Sequence, residues 1–107
     1  MAARLTAGML VSALIRRVEA EGGSGMVLAK GDATAGAILV QLANRGEAGA
    51  LIERTLGVDG YAWRATGPDD PVARGDYLAR RRRNDPDLWV IELDSPDAEA
   101  IVRDIAG

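Results

Sequence analysis

The sequence predicts an α+β domain with the element order αββββαβα, in which a five-stranded, antiparallel-rich sheet carries its helices mainly on one face. Three observations predict this fold. Apolar residues recur with helical spacing near both ends, four short apolar runs bounded by glycine lie between residues 26 and 66, and another helical segment precedes a fifth apolar run. With 107 residues, 48 % of them hydrophobic, residues 1–107 are expected to form one domain with its own core.

The first helix is predicted over residues 7–21. Its apolar positions follow the i, i+3, i+4, i+7 spacing of one helix face, and they are Ala7, Leu10, Val11, Leu14 and Val18. Thr6 is placed to cap its first turn, and Gly22-Gly23 to end it. The apolar stretch is too short to span a bilayer. We interpret it as an ordinary amphipathic helix with no membrane partner, and the alternative is a targeting or membrane-surface segment.

Four strands are predicted next, over residues 26–30, 37–43, 50–56 and 61–66. Between them, turn residues that tolerate positive φ, such as Asn44 with Gly46, favour hairpins. The four strands are therefore predicted to pair in chain order as an antiparallel meander. Alternation assigns Ile38, Val40 and Leu42 to one face of the second strand.

A second helix is predicted over residues 71–83. Asp70 can cap it, with Pro71 at its first position. Gly75 weakens the first turn, which leaves a later start near Asp76 open. The arginine-rich last turn suits the negative end of the helix dipole.

A fifth strand is predicted over residues 88–93, with Trp89, Ile91 and Leu93 on one face. It is expected to pair either parallel to the fourth strand or antiparallel to the first strand. We favour the antiparallel pairing with the first strand. The last helix is predicted to begin at Pro96, with Ser95 as its cap.

The composition excludes several chemistries. The chain has no His and no Cys, which excludes imidazole and thiolate metal sites, Ser-His-Asp and Cys-His catalysis, and disulfides. Thirteen basic against sixteen acidic side chains give a net charge of −3, which argues against a general nucleic-acid binder. We expect a soluble cytoplasmic protein with no cofactor and no metal.

Three stretches together resemble a known bacterial family, and they are VSALIRRVEAEGG (11–23), KGDATAGAILV (30–40) and RRRRNDPDLWVIELD (80–94). They are similar to the family catalogued as domain of unknown function 1491, whose members are small proteins mainly from alphaproteobacteria. The DPDLW string (85–89) is the most specific part. The resemblance implies a short cytoplasmic protein, and it brings no activity, cofactor or catalytic residue.

The first candidate binding feature is the basic run Arg80, Arg81, Arg82 and Arg83 at the end of the second helix. Consecutive helical residues point all around the axis, so the four cannot form one flat patch. The run is a solvated helix end paired with nearby acids, a contact for a protein partner, or a phosphate contact of a nucleic-acid accessory protein. Seven acids against one base in residues 84–107 would repel a polyanion.

Asp85 and Asp87, which follow the run, form a second candidate binding feature. They suit a turn between helix and strand, and their oxygens also suit Mg²⁺. A carboxylate- or Mg²⁺-dependent enzyme is therefore an alternative. It requires a concave pocket that gathers two or more of Asp69, Asp70, Asp76, Asp85 and Glu92.

Trp63 is the last candidate binding residue. It shares a strand face with Tyr61, and aromatic residues are enriched both in domain cores and in interface cores. We predict a non-catalytic binding or protein-interaction module that self-associates as a homodimer through a sheet edge or the strand of Trp63. An unknown protein partner is the other possibility. No catalytic residue is assigned.

Overall fold

The computed structural model describes residues 5–106, and its element order confirms the predicted αββββαβα. The elements are α1 (Ala7–Ala20), β1 (Ser24–Ala29), β2 (Ile38–Asn44), β3 (Glu47–Gly57), β4 (Gly60–Ala65), α2 (Pro71–Asn84), β5 (Trp89–Asp94) and α3 (Ala98–Ala106). The five strands form one sheet in the order β1-β5-β2-β3-β4. Only the β2–β5 pair is parallel, which confirms an antiparallel-rich sheet.

The position of β5 corrects part of the predicted topology. The antiparallel pairing of β5 with β1 is confirmed, but β1 and β2 do not form a hairpin, because β5 lies between them. The meander is limited to β2, β3 and β4. The physical reason lies in β5 itself, which is buried on both faces over most of its length and therefore belongs at the centre of a sheet.

The core is divided by the sheet into two clusters. The larger one lies under α1 and α3 and includes the predicted face residues Ile38, Val40, Leu42, Trp89, Ile91 and Leu93. The smaller one lies on the opposite face, where Tyr77 and Leu78 of α2 pack against Leu39, Leu51, Leu88 and Val90. Two of the three helices thus share one face, as predicted, and α2 covers part of the other.

Capping residues set where the helices begin. The Thr6 hydroxyl accepts the Met9 N–H at 3.2 Å, and the Asp70 carboxylate accepts the Ala73 N–H at 2.9 Å. Helix α2 therefore begins at Pro71 despite Gly75. The predicted start of α3 at Pro96 is wrong by two residues, because Ser95 forms a turn first: its hydroxyl accepts the Asp97 N–H at 3.1 Å.

The β2–β3 turn is held by the end of β5. Arg45 and Gly46 have φ values of +53° and +81°, and their N–H groups donate to the two Asp94 carboxylate oxygens at 2.8 and 2.9 Å. Of the two residues expected to tolerate positive φ, Gly46 adopts it, whereas Asn44 does not because it is still in the strand. The left-handed backbone conformation of Arg45 costs free energy, and the two hydrogen bonds to the Asp94 carboxylate offset that cost.

Candidate functional site

Arginines 80 to 83 do not act as one group. Arg81 points toward the sheet, where its guanidinium donates to both Glu53 carboxylate oxygens at 2.9 and 2.7 Å and to the Tyr77 hydroxyl at 2.8 Å. The hydrogen bonds to Glu53 raise the pKa of Arg81 above its ordinary value, although burial opposes them. This arginine fastens α2 to β3.

Arg82 closes the connection between α2 and β5. Its Nη1 donates to the carbonyls of Lys30, Pro86 and Leu88, at 3.2, 3.1 and 2.6 Å. Arg80 and Arg83 are exposed, and neither has an ion pair within the part of the chain that the structure describes. Of the four arginines, Arg80 and Arg83 point outward and are accessible to a partner, whereas Arg81 and Arg82 stabilise the fold.

Arg74 is a buried arginine that the sequence analysis missed. Its Nη1 donates to the Gln41 side-chain oxygen at 3.0 Å and to the Gly49 carbonyl at 2.7 Å, and its Nε donates to the Pro68 carbonyl at 2.9 Å. The available signal was Gln41, a polar residue inside an otherwise apolar strand, which needs a buried polar partner.

The two aspartates beyond α2 shape the turn into β5. The Asp85 carboxylate accepts the Asp87 N–H at 3.1 Å, and the Asp87 carbonyl accepts the Asp32 N–H at 2.9 Å. These residues and the arginine run meet at the α2–β5 junction, whereas Trp63 lies on the opposite face of the sheet.

The acidic residues of the enzyme alternative lie away from the cavities beside α1, the β2–β3 turn and the start of α3. Those residues are Asp69, Asp70, Asp76, Asp85 and Glu92, and none of them lines these four cavities. Among residues 5–106, no three acidic side chains gather closely enough to hold a metal ion.

Trp63 is a core residue of its own domain. It is 4 % exposed and packs in the cluster beneath α1 and α3. Its indole N–H is buried without a hydrogen-bond partner among the described residues. A partner that used this strand would meet the backbone of β4 and the exposed side chains of Tyr61, Ala62 and Arg64, not the Trp63 ring.

The cavity beside the start of α1 has a volume of about 430 Å³ and is lined in part by Arg54 and Tyr61, with the guanidinium 3.9 Å from the ring centre. The first four N–H groups of α1 already donate hydrogen bonds within the chain. Those of Ala7 and Gly8 donate to the carbonyls of Thr34 and Ala33, and the next two donate to Thr6. The helix N-terminus therefore offers this cavity no free donor for an anion.

The free edge strand β1 exposes three apolar side chains. Met26, Val27 and Leu28 follow one another and are 57, 42 and 49 % exposed. No charged residue lies within Ser24–Ala29, and β1 pairs on one side only, with β5. Edge strands of this kind expose unpaired backbone groups and are templates for pairing with another chain.

The family model described as "Protein of unknown function (DUF1491)" matches residues 5–103. The chain belongs to this family. A crystal structure of a DUF1491 family protein from Caulobacter crescentus CB15 is similar to it, with 36 % identity, a TM-score of 0.75, and coverage of 92 % of this chain and 94 % of that one. Family membership confirms the resemblance carried by the three stretches of sequence.

Two solution structures are similar as well. The NMR structure of a DUF1491 family protein from Caulobacter crescentus CB15 is 35 % identical, with a TM-score of 0.78 and 94 % of each chain covered. A protein from A. tumefaciens is 35 % identical, with a TM-score of 0.72 and 87 % of each chain covered. Among curated proteins nothing matches the chain. No helix within residues 5–106 is long and apolar enough to cross a membrane.

Proposed function

We propose that this member of the DUF1491 family is a non-catalytic protein-interaction module that self-associates through the free edge of β1. The observation that carries the proposal is the uncharged strand with three consecutive exposed apolar side chains, Met26, Val27 and Leu28. Strand addition there would satisfy outward backbone groups and remove apolar surface from water in one step. A cytoplasmic location is part of the same proposal.

The opposite edge of the sheet is less suited to this role. The β4 strand exposes Arg64 and Tyr61 and buries its most apolar side chain, Trp63. A charged side chain on an edge strand opposes pairing with a second strand. Of the two edges, β1 therefore supports the interaction better.

The proposal predicts a dimer whose fraction rises with protein concentration, measured by size-exclusion chromatography with light scattering. Val27→Lys places a charge on the β1 edge and is expected to raise the dissociation constant by at least about tenfold. Val72→Lys, at an exposed valine of α2, is the matched control and is expected to leave the dissociation constant unchanged. A wild-type chain that stays monomeric at all concentrations, or equal effects of the two variants, would contradict the proposal.

A further inference from the structure

The cavity beside the start of α1 combines three strands, a helix end and a loop. It is lined by Ile38, Arg54 and Tyr61 of β2, β3 and β4, by residues 5–7, and by residues 34–37 of the loop before β2. Its volume of about 430 Å³ is in the range of pockets that take small ligands. The cavity is therefore large enough for a small organic molecule.

Arg54 is a cation on an otherwise apolar face of the sheet. Its partner in β4 is Trp63, and Ile52 lies two positions before it in β3; both belong to the larger core cluster. Opposed residues, and residues two apart in a strand, point to the same face. Arg54 is therefore half-buried at the face that the helices cover, where an anion is attracted more strongly than in open water because the charges are screened less.

The charge of the cavity has one sign. Arg54 is the only charged residue among the described residues that line it. Its guanidinium lies 3.9 Å from the centre of the Tyr61 ring, and this contact helps to fix its position. A guanidinium has five N–H donors in a planar fork, which matches the two oxygens of a carboxylate and accepts such a ligand in addition to other partners.

Apolar side chains line another part of the same cavity. They include Leu5, Ala35 and Ile38. A carboxylate with a hydrocarbon body would pair with the guanidinium and also remove apolar surface from water. An inorganic anion would gain only the first of these contributions.

We propose that this cavity binds a small organic carboxylate, with the carboxylate group held by Arg54 and the apolar body beside Leu5, Ala35 and Ile38. None of the described lining residues belongs to β1. The proposal therefore holds or fails independently of the proposed interaction module.

Titration of the full chain with benzoate and with hexanoate tests the proposal, followed by two-dimensional ¹H–¹⁵N NMR. We expect saturable shifts of the amide signals of residues 34–37. Benzamide has the same ring without the charge, and inorganic phosphate has charge without the apolar body. Both are expected to bind at least about tenfold more weakly than benzoate.

Two variants and a control test the residues of the site. Arg54→Gln is expected to raise the dissociation constant for benzoate at least about tenfold. Ala35→Phe keeps the cation but fills the cavity, and it is expected to have at least the same effect. Arg64→Gln is the matched control, because Arg64 is an exposed residue of β4 that follows Trp63 and so points to the opposite face.

The outcomes decide the proposal. Weaker benzoate binding by Arg54→Gln and Ala35→Phe, with Arg64→Gln unchanged, supports it. Far-UV circular dichroism checks the fold, and Ala35→Phe tests the site even where Arg54→Gln does not fold. The proposal is overturned if neither carboxylate gives saturable shifts at millimolar concentration, if benzamide binds as well as benzoate, or if benzoate binding survives a folded site variant.

Discussion

Trp89 and Trp63 lie in the same core cluster and differ in one hydrogen bond. The Trp89 indole N–H donates to the Asp32 carbonyl at 2.7 Å and so anchors the loop between β1 and β2. The Trp63 indole N–H is buried and has no partner among the described residues. A buried donor without an acceptor destabilises the folded state, whereas a buried donor that is hydrogen-bonded stabilises it.

Replacing each tryptophan with phenylalanine is therefore expected to have unequal effects. Both changes remove ring volume, but only Trp89→Phe also removes a hydrogen bond, and Trp63→Phe relieves an unsatisfied donor. Trp89→Phe is expected to lower the free energy of unfolding by about 1–3 kcal/mol more than Trp63→Phe. Urea unfolding followed by far-UV circular dichroism measures the difference, and an equal or larger loss for Trp63→Phe would show this account of the two indoles to be wrong.

At the scale of the element, α2 differs from the other helices in how it is held. Helices α1 and α3 pack through continuous apolar faces, whereas α2 places only Tyr77 and Leu78 among apolar neighbours. Its other attachments include the hydrogen bonds of Arg74, Arg81 and Arg82 and the one between the Tyr77 and Thr66 hydroxyls. Polar attachment of a partly buried helix depends on geometry and charge more than on area.

Glu53→Gln is expected to loosen α2, because it leaves the partly buried Arg81 without its carboxylate. The expected loss in the free energy of unfolding is about 1–3 kcal/mol, with faster amide hydrogen exchange in α2 than in α1. Glu99→Gln is the matched control, since it removes the exposed pair with Arg103 and is expected to cost less than about 0.5 kcal/mol. Equal losses for the two variants would mean that the Arg81–Glu53 pair does not hold the helix.

At the scale of the whole molecule, β5 joins parts of the chain that are far apart in sequence. It pairs with β1 on one side and with β2 on the other, so the sheet is continuous only when β5 is in place. Ile91 lies at its middle, fully buried beneath the helices. The stability of the domain should depend strongly on this strand.

Ile91→Ala is accordingly expected to lower the free energy of unfolding by about 3–5 kcal/mol, a large share of the 5–15 kcal/mol of an ordinary domain. Ile105→Ala, at a partly buried position of α3, gives the same change in chemistry with less burial and is expected to cost less than half as much. Urea unfolding measures both, and comparable losses would indicate that β5 is not central to stability.

The sequence by itself determined the elements, their order and the faces of the strands. These depend on local properties: the spacing of apolar residues, capping at Thr6 and Asp70, and alternation in β2 and β5. Each acts between residues close together in the chain, so each is visible in a window of about ten residues.

Only the tertiary structure decided that β5 lies between β1 and β2, that Arg74, Arg81 and Arg82 bind the chain's own oxygens, and that Trp63 is buried while the edge of β1 is uncovered. The positions of these residues depend on contacts between segments tens of residues apart. Which strands pair depends on how much apolar surface the whole sheet buries, and a short stretch of sequence does not show this.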